Sequence, residues 1–276
     1  MKQKQLIFCM GLSAIALFAS CNEREIDLNP NGGSGSSSKG SISLNLNADA
    51  SFSTETRSLN EADYLNTANY TVEIYNVDKQ KLIYTTKFNS FEPKLLDTDV
   101  TYEVRAFYGT EYAKSRDDFR MEGSSTFMLT KDGETRRLDV QCLPTCGKVT
   151  AEFDPAMDTY FSSYGIKFGG TVQLGSETFD WTKSDTNPWY IAIAKGNAGE
   201  TVNYTINLKT KKEYTESSSE NGVVTGSFTL KRNMAHKLSV KPSYTENVLG
   251  GLSVIVTIDA ETNDKPITIE VPVTWI

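Results

Sequence analysis

Residues that could carry out acid, base or metal chemistry are scarce in this chain. The 276 residues include one histidine, His236, in the run Asn233-Met-Ala-His-Lys237, whose composition predicts a turn between strands. A hydrolase needs a nucleophile beside a base, and a zinc site needs three or four His, Cys or carboxylate ligands at compatible spacing. A lone histidine meets neither need. We therefore predict a turn or surface role for His236, no metal or other cofactor, and no enzymatic activity.

Two acidic residues and two cysteines have spacings that deserve a chemical interpretation. Asp117 and Asp118 are adjacent, and paired carboxylates cleave glycosidic bonds in some hydrolases, but nothing in the sequence marks either one as buried. Cys142 and Cys146 would lie ~13 Å apart in a straight strand, whereas a disulfide needs Cα atoms about 4.4–6.8 Å apart. Pro144 permits a bend, so we predict a small disulfide between them. Two free thiols are the alternative.

Four aromatic residues fit a sugar-binding interpretation because flat exposed rings stack on pyranose faces. These residues are Trp181, Trp189, Tyr190 and Trp275. Pro188 precedes Trp189 and places it where a loop meets a strand, so Trp189 and Tyr190 are the candidate glycan contacts. Core packing is the more common use of such rings in a β-sandwich.

The N-terminus has the layout of an export signal. Two lysines precede the apolar stretch from Leu6 to Phe18, which would rise only ~20 Å as a helix, less than the ~30 Å of a bilayer core. We predict a signal peptide over residues 1–20 rather than a spanning helix. Phe18-Ala19-Ser20-Cys21 resembles the lipobox of bacterial lipoproteins, which implies that Cys21 is acylated and anchors the chain in a membrane. An ordinary signal peptide is the alternative.

Residues 21–39 predict a flexible tether, because they are polar and then Gly/Ser-rich and cannot bury enough apolar area to fold. Glu23, Glu25 and Asp27 resemble the acidic export signal that sends some Gram-negative lipoproteins to the outer face of the outer membrane; solvated linker acids are the alternative. We expect a lipid-anchored protein of the outer membrane, at the cell surface. The formal net charge of −7 and the absence of a basic run argue against a nucleic-acid partner.

From Gly40 onward the chain predicts an all-β fold. Apolar and polar residues alternate with the period of half-buried strands, and Gly, Asn, Asp and Ser separate the strands. Helical patterns are brief, around Ser58 to Leu65 and Met157 to Tyr164. Clear alternation occurs at Ile42–Leu46, Val72–Ile74, Val100–Ala106, Leu138–Val140, Val149–Phe153, Val202–Ile206, Leu238–Val240, Leu252–Ile258 and Ile267–Val273.

The chain also repeats itself. Val100-Thr-Tyr-Glu-Val104 recurs as Val202-Asn-Tyr-Thr-Ile206, roughly one hundred residues later. Phe127 and Leu138 have partners at a similar offset, and glycines 40, 147 and 250 each open a strand. We predict two tandem β-sandwich domains, residues 40–146 and 147–276, with transthyretin-like or immunoglobulin-like topology. The second would own a supernumerary strand, 251–259, and its hairpin partner, 267–275.

Several segments match a known family. They are Gly40–Leu44, Asn69–Ile74, Val104–Gly109, Ser115–Phe119, Cys142–Val149 and Thr257–Asp264. Together they resemble the Gram-negative lipoproteins grouped as domain of unknown function 4493, for which no activity is established. A lipidated N-terminus followed by two β-domains is also similar to the fimbrillins, which are pilus and adhesin subunits. The resemblance implies a structural or adhesive surface protein, such as a fimbrial component, with other surface proteins as partners. A glycan-binding lipoprotein assisting carbohydrate uptake is the alternative.

The fimbrillin resemblance adds a hypothesis about Arg57. In fimbrillin-like proteins an arginine-specific protease cuts after the opening strand, and a strand of the next subunit fills the vacated groove. Here the opening strand, Ser41 to Asn47, precedes a polar stretch in which Arg57 is the one basic residue, a candidate proteolytic site. The strand Leu252 to Ile258 has the alternation of a donor. The preferred alternative is that this strand completes its own domain and Arg57 is an ordinary loop residue.

Overall fold

The computed structural model describes residues 38–50, 52, 61–214, 220–245, 252–260, 267–272 and 274–275. They belong to one compact unit, residues 37–276. No helix within the described ranges is long and apolar enough to cross a membrane. The predicted signal peptide, Cys21 with its tether, and Arg57 lie outside these ranges.

The first half of the described chain forms one seven-stranded sheet with the order β3-β2-β5-β7-β8-β1-β4. The opening strand β1 lies inside this sheet, parallel to β8 and antiparallel to β4. Short 3-10 helices occupy Glu61–Leu65, Thr67–Asn69 and Phe88–Ser90. The strands are β1 (Lys39–Ala48), β2 (Thr71–Asn76), β3 (Lys81–Lys87), β4 (Lys94–Asp97), β5 (Thr101–Tyr108), β6 (Lys114–Ser115), β7 (Met121–Met128) and β8 (Thr135–Pro144).

The second half forms a five-stranded sheet, β11-β10-β13-β14-β18, and a six-stranded sheet, β17-β16-β15-β9-β12-β6. Its helices are α1 (Met157–Tyr160) and a 3-10 turn, Lys212–Tyr214. The strands are β9 (Cys146–Phe153), β10 (Phe161–Gly169), β11 (Thr178–Thr182), β12 (Trp189–Ala192), β13 (Glu200–Thr210), β14 (Asn221–Leu230), β15 (Ala235–Tyr244), β16 (Leu252–Ala260), β17 (Ile267–Pro272) and β18 (Thr274–Trp275). The all-β prediction is confirmed, and α1 is shorter than the predicted helix because β10 begins at Phe161.

The sheet pairings repeat between the halves. The order β3-β2-β5-β7 of the first half corresponds to β11-β10-β13-β14 of the second, and β4-β1-β8 corresponds to β12-β9-β15. In both halves the first strand is parallel to the last strand of the repeated unit, β1 to β8 and β9 to β15. The repeated sequence segments occupy these equivalent strands, since Val100–Val104 leads into β5 and Val202–Ile206 lies in β13. The internal repeat therefore describes one supersecondary unit used twice.

The C-terminal strands extend the second half. Strand β16 pairs antiparallel with β15 along nine register positions, β17 pairs with β16, and β18 pairs with β14. The alternation in β16 is that of a half-buried strand, because Leu252, Val254, Val256 and Ile258 are all buried. In the second half, β16 and β18 therefore pair with β15 and β14. In the first half the equivalent strands, β8 and β7, pair with each other instead.

The buried side chains form two clusters. One contains Ile42, Val72 and Val104 with their neighbours, all from the first half except Cys146 and Tyr190. The other contains Val149, Phe168 and Ile206 and extends to β16. Tyr190 therefore belongs to the second half by chain position and to the first cluster by packing, which marks the junction of the halves.

Candidate functional site

His236 does not lie in a turn, so the prediction of a turn or surface role is wrong. The predicted turn ran to Lys237, whereas β15 already begins at Ala235, two residues after Asn233, which lies in the left-handed region at φ 55°. His236 is 5 % exposed, and its ring stacks on Phe228 with centroids 5.0 Å apart. Within the described ranges, no group of three or more His, Cys, Asp or Glu side chains is placed to hold a metal ion.

Asp118 supports a loop between the halves. Its carboxylate accepts hydrogen bonds from the Tyr64 hydroxyl at 2.6 Å and from the Thr110 N–H at 3.1 Å. The backbone N–H groups of Asp117 and Asp118 both donate to Ser115 Oγ. Burial, together with the bond to this carboxylate, raises the pKa of Tyr64. These bonds give Asp118 a structural role.

The proposed sugar platform at Trp189 and Tyr190 is not an exposed surface, which corrects the prediction. Tyr190 is 2 % exposed because its ring packs into the first-half cluster, stacked on Phe119 with centroids 4.7 Å apart. Trp189 is half-buried, and the guanidinium of Arg116 lies over its ring at 4.4 Å. Trp181 is also buried. A pyranose ring therefore has no access to Tyr190 and would compete with Arg116 at Trp189.

A buried polar cluster, which the sequence analysis did not identify, lies at the junction. We call it the junction cluster: Glu61, Lys148 and Tyr190. Lys148 Nζ lies 3.1 Å from Glu61 Oε1, and the Tyr190 hydroxyl donates to the same oxygen at 2.6 Å. The Lys148 side chain is 3 % exposed and that of Glu61 is 10 % exposed. Desolvation and the bond to Glu61 raise the pKa of Tyr190, so the phenol stays protonated and donates.

The junction cluster joins three separate elements. Glu61 begins a 3-10 helix of the first half, whereas Lys148 and Tyr190 are register partners in β9 and β12 of the second. Aromatic rings close it from water: Phe119 stacks on both Tyr64 and Tyr190, at 4.0 and 4.7 Å between centroids. A charge pair taken out of water is strongly destabilised when one partner is lost. The cluster therefore fixes how the two halves meet.

A second connection is made by β6, which belongs to the first half in sequence but to a sheet of the second half. Ser115 and Lys114 pair antiparallel with Tyr190 and Ile191 of β12. The Lys114 ammonium donates to the Thr178 carbonyl at 2.7 Å and lies 3.0 Å from Glu177. Arg116 donates to the Asn187 carbonyl and pairs with Asp185 at 3.0 Å. The loop carrying β6 thus fills the space between β11 and β12.

The structure contains free thiols at Cys142 and Cys146 in place of the predicted disulfide. The reason is geometric: β8 continues through Pro144 and β9 begins at Cys146, so the chain does not fold back on itself between the two residues. Both side chains are buried, and burial raises the pKa of the Cys142 thiol to about 12. Cys142 lies near the end of β8, and Cys146 begins β9.

The opening strand is held on both of its edges. Residues 41–48 of β1 pair with β8, and residues 39–42 pair with β4. Ile42 and Leu46 are buried in the first-half cluster. A neighbour's strand could take this position only after β1 had lost both ladders and its two apolar anchors. In the strand-exchange hypothesis β16 was the candidate donor strand, but it is paired on both edges in its own half.

The solved structures that match this chain include three of fimbrial proteins. A fimbrial assembly protein from Parabacteroides distasonis is similar at 10 % identity and a TM-score of 0.40, covering 84 % of this chain and 98 % of that one. The tip fimbrial protein Mfa3 from Porphyromonas gingivalis has 9 % identity and a TM-score of 0.43, with coverages of 80 % and 99 %. The fimbrial anchor protein Mfa2 from the same species has 8 % identity and a TM-score of 0.39, with coverages of 84 % and 99 %.

Sequence comparison gives a family rather than a characterised relative. No curated protein matches the chain. A family profile matches residues 38–273, which include almost the whole of the described chain. That match agrees with the segments that first pointed to the family. The chain therefore belongs to the family described as Domain of unknown function (DUF4493).

Proposed function

We propose that the protein is a lipid-anchored structural or adhesive component of the bacterial cell surface, such as a fimbrial subunit. In this proposal residues 1–20 direct export and Cys21 carries the lipid. Residues 21–39 form the flexible tether, and residues 40–146 and 147–276 form two tandem β-sandwich domains. Glu23, Glu25 and Asp27 direct the protein to the outer face of the outer membrane.

The observation that carries the proposal is how the halves are joined. A strand of the first half, β6, is hydrogen-bonded into a sheet of the second, and the buried Glu61–Lys148 pair reinforces the same junction. Enzymes that close on a substrate need a junction that opens, whereas a protein that bears load or presents a surface benefits from a fixed one. The joining favours a structural role.

The packing and hydrogen bonding of the side chains that could act as acids or bases support a non-enzymatic role. His236 is packed against Phe228, and Asp118 is bonded to Tyr64. Glu61 and Lys148 are bonded to each other in a place that a substrate cannot reach. A catalytic group needs access to a reacting atom, and the buried side chains of His236, Glu61 and Lys148 do not have it. We therefore propose that the protein acts through its surfaces.

The anchor is tested by fractionation of the producing cells. Cys21→Ser removes the acylated thiol, so the variant should leave the membrane fraction or accumulate as an unprocessed precursor. Cys142→Ser is a matched control, because it changes an internal cysteine and leaves the lipobox intact. Membrane association of Cys21→Ser equal to that of the parent would refute the anchor.

The role is tested by asking what the purified protein binds. For a structural or adhesive protein we expect no binding signal on a glycan array, together with higher-order assembly or binding to other surface proteins. Glycan binding that disappears in Trp189→Ala would support a sugar-binding lipoprotein instead. Trp189→Phe is the control variant, because it keeps a ring at the position and loses the N–H that donates to Asp180.

A further inference from the structure

The two free edges of the seven-stranded sheet meet at one groove. Strands β3 and β4 are the ends of that sheet, so each is paired on one side only within the described chain. Both nevertheless line a single groove of about 330 Å³, with Leu82 and Ile83 from the start of β3 and Leu95 from β4. Residues 88–93 connect the strands at the opposite end. We call this groove the β3–β4 seam; an added strand would lie between two unpaired edges.

Exposed apolar side chains line the β3–β4 seam. Leu95 is 71 % exposed, Ile83 is 45 % exposed and Leu82 is 44 % exposed. Isolated exposed apolar residues are common, but three on facing edges of one groove form a patch, and such patches mark interaction sites. Water contacts these side chains in the isolated chain, so covering them would favour association.

The second half shows what such a seam accepts. Strands β11 and β12 occupy the positions equivalent to β3 and β4, and the short strand β6 lies between them. Its backbone pairs with β12, and the side chains of Lys114 in β6 and of Arg116, which follows β6, donate to carbonyls of β11. Opposite charges complete the fit, since Lys114 pairs with Glu177 and Arg116 with Asp185. One copy of the repeated unit therefore has its seam filled by an extended segment, and the other has it open.

Basic residues line the rim of the open β3–β4 seam, whereas acidic residues, Glu177 and Asp185, flank the filled seam of the second half. Lys39, Lys79 and Lys81 line the open seam together with one carboxylate, Asp97, which lies 3.7 Å from Lys39. This basic rim belongs to a chain whose formal net charge is −7. In the filled seam a basic strand meets acidic neighbours, so by the same complementarity the open seam fits an acidic strand.

We propose that the β3–β4 seam binds an extended acidic segment of a partner protein by strand addition. Backbone groups of the segment pair with β3 or β4, its apolar side chains cover Leu82, Ile83 and Leu95, and its carboxylates meet Lys79 and Lys81. The partner is a different protein: in this chain the segment that fills a seam contains Lys114 in β6 and the adjoining Arg116, and these cations would meet lysines. This inference gives the proposed adhesive role a specific surface and rests on that role only for the existence of a partner.

The test uses two synthetic probes, the peptide Glu-Val-Glu-Leu-Glu-Val-Glu and the same peptide with lysine in place of every glutamate. Binding to the soluble protein, residues 22–276, is measured by calorimetry at low and high salt. We expect the acidic peptide to bind and the basic one to bind at least roughly tenfold more weakly, with the difference shrinking as salt screens the charges. Equal binding of the two peptides, or no binding of the acidic one at millimolar concentration, would overturn the proposal.

Variants locate the binding on the chain. Leu95→Asp should abolish binding of the acidic peptide, whereas Val172→Asp, at a valine that is 68 % exposed in the second half, should leave it unchanged. Lys79→Glu with Lys81→Glu should reverse the preference toward the basic peptide, an outcome that misfolding cannot produce. Equal loss in Leu95→Asp and Val172→Asp would refute the location.

Two further results distinguish this proposal from self-association and from the proposed lipid anchor. Self-association that Leu95→Asp abolishes, seen by analytical ultracentrifugation without any peptide, would identify a second copy as the occupant and refute the acidic partner. Membrane fractionation of Cys21→Ser does not depend on the seam. Failure of the peptide experiment and failure of the anchoring experiment are therefore distinguishable.

Discussion

Replacing Lys148 with methionine should be among the most damaging single changes in the chain. The methionine fills most of the same volume, but it leaves the carboxylate of Glu61 buried without its cation. The two side chains are 3 % and 10 % exposed, so water cannot replace the lost charge. Breaking such a pair costs about 3–5 kcal/mol. Because the Tyr190 hydroxyl still donates to Glu61 at 2.6 Å, we expect the lower end, about 3 kcal/mol.

This magnitude is measurable by urea unfolding followed by tyrosine and tryptophan fluorescence. A loss of about 3 kcal/mol is a large part of the ~5–15 kcal/mol that stabilises a typical domain. The matched control is Lys183→Met, which breaks the Lys183–Asp158 pair on the surface, where the side chains are 63 % and 60 % exposed. An exposed pair contributes at most about 1 kcal/mol, so the control should unfold almost as the parent does.

The double variant Lys148→Met with Glu61→Leu separates charge from packing. With both charges removed, no ion remains buried, and stability should return to within about 1–2 kcal/mol of the parent. A thermodynamic cycle over the four proteins gives the coupling energy directly. Loss of stability in Lys148→Met equal to that in Lys183→Met, or a coupling energy near zero, would refute the claim that the junction rests on this pair.

Three further predictions address the thiols, the opening strand and the tyrosines. Cys142 and Cys146 should resist alkylation in the folded protein, because both are buried and burial raises the pKa of Cys142 to about 12. After unfolding without reductant, intact mass should show both thiols alkylated, whereas a disulfide would leave both unlabelled. Cleavage at Arg57 should yield a nicked monomer that keeps β1, since that strand is paired on both edges; release of β1 with growth in light scattering would favour strand exchange instead. Burial and the bond to Asp158 raise the pKa of Tyr164 from 10.0 to about 12, so the stabilisation that this hydroxyl gives the folded state is complete below pH 10 and is lost as the pH rises toward 12. The free energy of unfolding of the parent should therefore fall toward that of Tyr164→Phe over this range, and a difference between the two proteins that does not change with pH would contradict this.

Periodicity predicted the strands well because it is a local property of the sequence, and repetition identified equivalent strands because both copies can be compared without knowing any tertiary contact. The alternation of Leu252, Val254, Val256 and Ile258 gave the correct buried face of β16. The offset between Val100–Val104 and Val202–Ile206 identified strands that occupy equivalent sheet positions. His236 was misplaced by the turn chemistry around it, because the turn ends at Met234 and the next strand begins at once. An error of a few residues at the start of β15 was therefore enough to change the predicted role of His236.

The junction could not be predicted, because its partners are distant in sequence. Glu61 and Lys148 are 87 residues apart, and Tyr190 lies 129 residues from Glu61. One signal was available: Lys148 follows Gly147 and precedes Val149 in a strand buried on both faces, and a lysine there requires a partner. Tyr190 was interpreted as a surface ring because Pro188 marks a loop. However, β12 begins at Trp189, directly after that loop, and the Tyr190 ring is buried in the first-half cluster. The two-residue strand β6 has no periodicity at all.

The parallel pairing of each half's first and last strands also determines how the molecule would respond to a pull. The start of β1 and the end of β8 lie at opposite ends of one parallel ladder, so tension between them acts along the strands. All eight register positions between Ser41 and Ala48 would have to slide together, whereas a hairpin loaded at its open end separates one pair at a time. The same arrangement recurs between β9 and β15. A pull between the start of β1 and the end of β8 would thus load this ladder in shear, and it would yield at a higher force than a hairpin whose pairs separate in turn.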